Sequence, residues 1–494
     1  MIGSVVTKIS DFKAQYKEIA NKCFKWSAIL KDTKLENFLE ILKDDLHLFV
    51  EFPYVDKLFR DSYYNYFSSS HKPVQRNALR VSFFAGKLTK EEFYNSDTHS
   101  KIQRYYIGYC ILRPLNGNML GRSFISPKAL KNHNFVCCLS MQKTSILGVP
   151  FEINGFPHST QDGRMISCAE TSIWSITEYF GSKYPEYALV LPHKIHNILK
   201  ETYHQRHLPS NGLTAIQISA ALQQLGYAPR MYSVAHGRNN EREIFSIISD
   251  YIESGIPLVL AVQGEKFGGH AMLLIGHSNI DNKITKATLK EQFTDAGDFR
   301  DKYVAIDDNR PVYQLLDLYK PMASYEDSKF HEAKIISAIV PLYTKMYLEA
   351  PTAKKLFETI FLDKTLGYKG DNSNKWIVRR LLTSSKSFKK WISISNSLSD
   401  NQRKMLLETA LPKFIWIAEY MTHENFKAEL SNIMIILDAT GMNSRESLVF
   451  ARYPDRYLFV DNTNGRQKEV IEISRPMPLY KNNLKGEWNQ WKSN

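Results

Sequence analysis

The order of helical and strand patterns between residues 146 and 320 is the feature that most restricts the fold. Four helical patterns come first, beginning at Cys168 and near 190–207, 213–226 and 241–254. Three strand patterns follow, "PLVLAVQ", "HAMLLIGH" and "YVAIDD". Helices that precede a run of strands in this way favour an α+β domain.

The sequence on either side differs in its pattern. Residues 1–145 open with helical patterns and then alternate apolar and polar residues around Asn116-Gly117, which predicts a hairpin. Residues 321–494 begin with the helical stretches "IVPLYTKMYLEAPTAKKLFETIF" and "QRKMLLETALPKFIWIAEYM" and end in strand patterns. We therefore expect a central α+β domain at 146–320, an N-terminal mixed α/β extension at 1–145 and a C-terminal helical and β extension at 321–494.

The length and composition agree with several globular domains. A chain of 494 residues exceeds one ordinary core, and its 43% apolar residues suffice to fill two or three. Apolar runs such as "IPLVLAV" at 256–262 are much shorter than the roughly 18 residues of a membrane span, so no membrane partner is expected. The first residues lack the pattern of a secretion signal, and we expect a cytoplasmic location.

The cysteines and the net charge exclude some classes of protein and favour others. Five cysteines, with no CxxC pair among them, argue against a disulfide framework and a thiolate zinc site. The excess of 64 basic over 51 acidic residues gives a charge of +13, for which solubility is the simplest explanation. Nucleic acid is the less favoured partner.

Cys168 lies directly before a helical pattern in "QDGRMISCAETSIWSITEYFG", residues 161–181, where Gly181 is the expected end of the helix. A thiol is a poor nucleophile at neutral pH unless a helix N-terminus and an imidazolium ion lower its pKa. The pattern supplies the helix N-terminus. The alternative is that Cys168 is a small buried apolar residue.

A histidine and two aspartates downstream complete a candidate catalytic group. His270 follows Gly268-Gly269 at the head of an apolar strand, and a further strand ends in Asp307 and Asp308. Either carboxylate could orient the imidazole, but successive strand residues face opposite sides, so only one of them does. His277 is an odd number of positions further along its strand and is interpreted as structural.

Gln161 is a candidate for stabilising an oxyanion, together with the backbone N–H of Cys168. The order of these motifs resembles that of the papain-like cysteine peptidases, and most closely the branch that trims double-glycine leaders from bacteriocin precursors, with its stand-alone relatives. The matching features are Gln161, Cys168 opening a helix, "GLTAIQISAALQQLG", "GIPLVLAV", "GHAMLLIGH" and a strand that closes on Asp. The resemblance covers about 160–320.

The resemblance implies a cysteine peptidase that acts on a peptide or protein through an acyl-enzyme. It implies that Cys168 is the nucleophile, His270 the general base and acid, Asp308 the orienting carboxylate and Gln161 the oxyanion donor. Asp308 is preferred over Asp307 because family strands place the orienting residue two positions after the last apolar one, here Ile306. No cofactor and no metal are expected. An acyltransferase or transglutaminase-like enzyme on the same triad, and a catalytically silent binding or effector protein, are the alternatives.

Two weaker signals and one segment complete the sequence predictions. A continuous helix would place His193, His196, His204 and His207 on one face, which we interpret as a polar face because positions 11 residues apart on it lie about 16 Å apart along the axis, too far for one metal ion. The basic stretch 361–391, interleaved with aromatic residues, could contact an anionic partner, but a solvated helix face is favoured. The polar segment 278–302 is expected to be a surface loop.

Overall fold

The structure is a computed structural model, and the fold is α+β, as the sequence predicted. It describes residues 3–202, 208–210, 212–234, 238–278, 289, 291–371, 373–396, 398–441, 445–461, 466–472 and 475–486. The helices are α1 (Ile9–Phe24), α2 (Thr33–Glu40), α3 (Lys57–Asn65), α4 (Ser96–Tyr105), α5 (Cys168–Lys183), α6 (Pro192–Leu199), α7 (Ala215–Gln224), α8 (Arg238–Glu253), α9 (Ala350–Leu362), α10 (Ser385–Ile394), α11 (Asp400–Glu408) and α12 (His423–Lys427).

Strands occur along the whole chain. They are β1 (Gly3–Lys8), β2 (His47–Tyr54), β3 (Ala78–Phe84), β4 (Tyr106–Leu112), β5 (Leu120–Ile125), β6 (Phe135–Cys137), β7 (Ser140–Ile146), β8 (Val149–Ser159), β9 (Ala228–Ser233), β10 (Leu258–Gly264), β11 (Gly268–Ser278), β12 (Phe293–Asp295), β13 (Tyr303–Ile306), β14 (Gln314–Leu316), β15 (Lys334–Leu342), β16 (Trp376–Ser384), β17 (Phe414–Met421), β18 (Leu430–Ser431), β19 (Ile433–Asp438), β20 (Leu448–Arg452), β21 (Arg456–Asp461), β22 (Arg466–Ile471), β23 (Met477–Pro478) and β24 (Lys485–Gly486).

The first sheet has the order β1-β2-β3-β4-β5-β8-β7, and its neighbouring strands are antiparallel. The hairpin predicted around Asn116-Gly117 is present, since β4 pairs with β5 across this turn. Gly117 has a φ of +78°, which glycine adopts without strain.

The second sheet has the order β14-β13-β11-β10-β15-β9, and β6 joins it beside β11. Helix α5 lies between this sheet and the first one, because it contacts β11 on one side and β7 and β8 on the other. Its residues from Ala169 to Phe180 are all buried, Trp174 among them. A helix that is enclosed in this way is a rigid support for its first residue, Cys168.

The third sheet has the order β12-β16-β17-β19-β20-β21-β22, with β12 parallel to β16. Three predictions are corrected here. Strand β15 occupies the start of the stretch predicted as helical from 339, and β17 occupies the end of the stretch predicted as helical up to 421. The segment 278–302 contributes β12 to the sheet instead of forming only a loop.

The three sheets do not follow the domain boundaries expected at 145 and 320. Strand β8 belongs to the first sheet, β15 lies inside the second, and β12 belongs to the third. One cluster of buried apolar side chains extends from Ile9 to Leu484 and includes residues of all three sheets. None of the described helices is both long and apolar enough to cross a membrane.

Candidate active site

Cys168 is the first residue of α5, and its surroundings fix the start of the helix. The backbone N–H of Ser167 donates to Oε2 of the fully buried Glu170 at 3.1 Å, which is one half of a capping box. The hydroxyls of Thr171 and Ser172 each donate to the carbonyl of Cys168 at 2.8 Å. The Cys168 side chain is partly exposed, so the thiol lies at the positive end of a fixed helix with access to solvent. The helix continues to Lys183, two residues past its predicted end at Gly181.

His270 lies at the start of β11, and its imidazole lies between Cys168 and Asp307. Nε2 of His270 donates to Oδ1 of Asp307 at 3.0 Å, and the Cys168 thiol lies close enough to be among the groups that raise the pKa of the ring. Burial opposes the charged ring, but the charge and the hydrogen bond of Asp307 outweigh it and raise the pKa of His270 well above its usual value. The imidazolium is therefore the favoured state beside the thiol.

The carboxylate that binds His270 belongs to Asp307, whereas the sequence argument preferred Asp308. Oδ1 of Asp308 lies 3.8 Å from Nε2 of His270, too far for a hydrogen bond. The preference rested on the family strand pattern, which places the orienting residue two positions after the last apolar one. In this chain β13 ends at Ile306, so both aspartates lie in the turn beyond the strand, where a strand pattern does not apply.

The pKa values of the Asp307 and Asp308 carboxyl groups are shifted in opposite directions. Burial would raise the pKa of Asp307, but the His270 charge and donors from His270, Tyr325 and the backbone N–H of Asn309 outweigh burial and hold this pKa below its usual value. Burial and the charge of Asp307 raise the pKa of Asp308. Neither oxygen of Asp308 has a hydrogen-bond partner among the described residues.

Gln161 lies in the same cleft as Cys168 and His270. Its side-chain Nε2 donates to Oδ1 of Asn309 at 2.7 Å, which leaves a second N–H on the amide. Its backbone carbonyl accepts from Arg113 and Asn118, both at 3.1 Å, and these residues belong to the connection between β4 and β5. The first sheet therefore positions the candidate oxyanion donor.

Other residues at the site were not predicted from the sequence. The ring of His158, in β8, bridges Ser123 Oγ at 2.9 Å and the carbonyls of Asp307 and Arg310 at 3.3 and 3.2 Å. Burial lowers the pKa of His158 to about 4, so it holds this turn as a neutral ring. Lys34, in α2, lies near Asp307 and Asp308, and burial lowers its pKa, which the two carboxylates partly offset. These residues lie more than 100 positions from the aspartates, and no local pattern marks them.

The candidate residues meet in a cleft of about 800 Å³. Its lining residues are Gln161, Ser167, Cys168, Ser210, Gly212, Leu213, Thr214, Ala215, Ile218, Ala261, Val262, Gln263, Phe267, Gly269, His270, Ala271, Asn309, Met322, Tyr325, Lys329, Phe330 and Ile336. A cleft of this size matches the pockets that hold small ligands or a few residues of a peptide.

A second cavity of about 390 Å³ lies between α8, β12 and α9. Its Lys354 and Asp295 pair at 2.8 Å, and Arg242 pairs with Glu291 at 3.0 Å. Four of its charged groups form these two ion pairs, and neither a Cys nor a His is among the described residues that line it.

His270, Asp307 and Asp308 could also approach a divalent cation, since their ligand atoms all lie within 4.8 Å of one another. However, Nε2 of His270 must carry a proton to bond the Asp307 carboxylate, and a metal ligand needs that nitrogen free. Both oxygens of Asp307 already accept hydrogen bonds, from His270, Tyr325 and Asn309. The arrangement therefore fits a hydrogen-bond relay better than a metal centre.

The other predicted groups have structural contacts. Helix α6 ends at Leu199, so no continuous helix joins the four histidines, and His204 and His207 lie outside the described residues. Nε2 of His196 bonds the carbonyl of Met165 at 2.8 Å. His277 pairs with Glu253 at 2.9 Å, in agreement with its structural interpretation.

The basic stretch 361–391 does not present all of its charges to solvent. Arg379 and Arg380 are buried and pair with Glu253 and Asp250, and Trp376 is buried beside them. The solvated helix face favoured from the sequence is therefore wrong for 376–384, which form β16 with buried charges. Comparison with known proteins adds no assignment, because no family model and no curated protein matches the chain.

Proposed function

We propose that the protein is a cysteine peptidase with a papain-like catalytic domain. The observation that carries the proposal is the chain of contacts from Cys168, at the start of a buried helix, through His270 to Asp307. A nucleophile, a base and an orienting acid in hydrogen-bond order are the elements of thiol-dependent acyl transfer. The nucleophile at the start of a central helix, with His270 on β11 and Asp307 directly after the neighbouring antiparallel strand β13, also agrees with the papain-like resemblance.

The mechanism follows from the positions of the side chains. The Cys168 thiolate attacks the carbonyl carbon of a peptide bond, and the backbone N–H of Cys168 with the free N–H of Gln161 stabilises the oxyanion. His270 gives its proton to the leaving amine as the C–N bond breaks. The same ring then takes a proton from water, which attacks the thioester and releases the acid. Because Cys168 is partly exposed, water has access to the thioester, which favours hydrolysis over transfer to an amine.

Selective alkylation tests the nucleophile. Burial raises the pKa of Cys23, Cys110, Cys137 and Cys138, so these thiols should react slowly at neutral pH. We expect iodoacetamide to label Cys168 before the other four cysteines at pH 6 to 7. Peptide mass mapping measures the labelling of each cysteine. Equal labelling of Cys23 at that pH would contradict an activated Cys168.

Turnover tests the reaction class. The purified chain should cleave members of a mixed peptide library, and Cys168→Ala should abolish cleavage while its thermal unfolding stays close to that of the unchanged protein. Cys23→Ala is the matched control, because Cys23 lies in α1 and outside the cleft. Cleavage that survives Cys168→Ala would overturn the proposal.

A further inference from the structure

The next inference rests on the proposed function and concerns the substrate. His270 must protonate the leaving amine, so the part of the substrate that follows the scissile bond lies against the imidazole. The surface next to His270, on the side away from Cys168, therefore contacts the first residue of the leaving fragment.

That surface is a cluster of three aromatic side chains, Phe267, Tyr325 and Phe330. The rings of Phe267 and Phe330 lie 4.8 Å apart, and those of Tyr325 and Phe330 also lie 4.8 Å apart. All three line the cleft and are half-buried, so part of each ring is open to the cleft. We call them the aromatic cluster.

The contacts place the aromatic cluster beyond the imidazole. The Tyr325 hydroxyl donates to Oδ2 of Asp307, whose other oxygen binds Nε2 of His270. Because Nε2 of His270 bonds Asp307, the Cys168 thiol lies on the other side of the imidazole ring. Phe267 precedes His270 by three residues on the β10–β11 hairpin, where Gly268 has a φ of +78° and allows the tight turn.

The two halves of the cleft differ in chemistry. On the Cys168 side the lining includes the small or aliphatic residues Gly212, Leu213, Ala215 and Ile218. On the His270 side the aromatic cluster and the buried Met322 form the wall. No Asp or Glu is among the described residues that line the cleft, and Lys329 pairs with Asp327 at 3.0 Å. Apart from the His270 ring and Lys329, whose charge Asp327 pairs, the described leaving-group half therefore offers apolar contact.

We propose that the aromatic cluster is a specificity site that binds an aromatic or large aliphatic side chain on the first residue after the scissile bond. Such a side chain would fill the space against the exposed parts of these rings and the Met322 side chain. A hydrophobic pocket of this kind discriminates by about 10- to 200-fold between a fitting side chain and a small one.

Capture of the acyl-enzyme by added amines tests this site directly. The activated ester N-acetylglycine p-nitrophenyl ester would acylate Cys168 without a peptide leaving group, with Cys168→Ala as the measure of background release. Phenylalanine amide or glycine amide is then added. The amine attacks the thioester, its proton passes to His270, and the C–S bond breaks to give N-acetylglycyl-amide product and free thiol. Chromatography measures the ratio of this product to N-acetylglycine.

We expect phenylalanine amide to capture the acyl-enzyme at least about tenfold more efficiently than glycine amide. Phe330→Ala and Phe267→Ala should bring the two amines close to equal capture, as measured by the ratio of amide product to N-acetylglycine, which does not depend on how fast the ester acylates Cys168. Phe330→Leu, which preserves apolar volume, should retain part of the preference and guards against misfolding. Tyr347→Ala is the matched control, because Tyr347 is a 63% exposed aromatic residue outside the cleft.

The outcomes separate this inference from the proposed function. Release of p-nitrophenolate that does not depend on Cys168 would overturn the peptidase proposal itself. Release that depends on Cys168, with equal capture of both amines by the unchanged protein, would overturn the specificity site alone. A preference that persists in both Phe→Ala variants would show that another surface selects the amine, and would also overturn it.

Discussion

Asp307 and Asp308 are neighbours in sequence, but their carboxyl groups have different surroundings. Asp307 accepts hydrogen bonds from His270, Tyr325 and the backbone of Asn309, so its charge is satisfied by fixed donors. Asp308 is equally buried, but neither of its oxygens has a hydrogen-bond partner among the described residues; burial raises its pKa, and the charges of His270 and Lys34 partly offset this. A carboxylate that orients an imidazole needs the first kind of surroundings, because orientation comes from a directional bond.

Asparagine substitutions should separate the two residues. Asp307→Asn keeps the shape but removes the acceptor charge, so the imidazolium loses its partner and kcat should fall on the order of 10³-fold. Asp308→Asn should change kcat only slightly, since no hydrogen bond joins it to the ring. Steady-state kinetics on one cleaved peptide measures both. A larger loss in Asp308→Asn would restore the preference drawn from the sequence.

The pH dependence of kcat/KM should report on His270. The neighbouring carboxylates raise the pKa of this ring, although burial opposes the effect. The protonated ring is needed to donate to the leaving amine, so activity should fall as pH rises through this pKa, at a pH above about 6.5. In Asp307→Asn the falling limb should move to lower pH. A limb that stays in place in this variant would mean that a different group titrates.

At the scale of elements, one turn serves both halves of the proposed chemistry. The turn between β13 and β14 carries Asp307, which binds the imidazole, and Asn309, which binds the Gln161 amide. His158 fastens the same turn to β8 through the carbonyls of Asp307 and Arg310. The position of His270, the general acid, relative to Gln161, the oxyanion donor, therefore depends on the backbone conformation of the four residues 307–310.

A double-mutant cycle tests the contact between Asn309 of this turn and the Gln161 amide. Gln161→Ala removes the amide and should lower kcat by about 10²-fold, and Asn309→Ala, which leaves the amide unoriented, by about tenfold. If Asn309 acts only through Gln161, the double variant should be no slower than Gln161→Ala alone. KM is determined in the same assays and should change little in all three variants. Additive losses would assign Asn309 a separate role.

Local pattern was sufficient for some elements and insufficient for others. Cys168 before α5 and His270 at the start of β11 were predicted, because a helix start and a strand start are local features of the sequence. Strands β15 and β17 were assigned to helices, because short apolar runs fit either period and only pairing with distant strands decides between them. Tyr325 and Lys34 could not be predicted, since nothing near them in sequence indicates that they approach Asp307.

At the scale of the molecule, buried ion pairs connect the second and third sheets. Glu253, at the end of α8, binds Arg300 and His277, and its Oε2 accepts from Nε of Arg379 in β16 at 2.8 Å. Arg379 continues to Glu419 in β17 at 2.7 Å. All of these groups except Arg300 are at most 4% exposed, so each charge depends on its partners for the solvation that water would otherwise give.

Removing one charge should therefore destabilise the whole protein. Glu253→Gln leaves Arg300 and Arg379 without their shared partner and should lower the free energy of unfolding by about 3 kcal/mol or more. Urea denaturation at pH 7 measures this change. Glu291→Gln is the matched control, because Glu291 forms an ion pair with Arg242 that is about 60% exposed and should contribute less than about 1 kcal/mol.

The same network sets the sign of the acid dependence. Burial would raise the pKa of Glu253, but the charges of Arg300 and Arg379 outweigh it and hold this pKa well below its usual value. A carboxylate whose pKa is depressed on folding stabilises the native state above its unfolded pKa, about 4.3, and loses that contribution as pH falls below it. Stability should therefore decline steeply below about pH 4 in the unchanged protein and less steeply in Glu253→Gln, when urea midpoints are compared from pH 7 to 3. Parallel declines in the two proteins would show that other carboxylates dominate acid unfolding and that the Glu253 network does not join the sheets as argued.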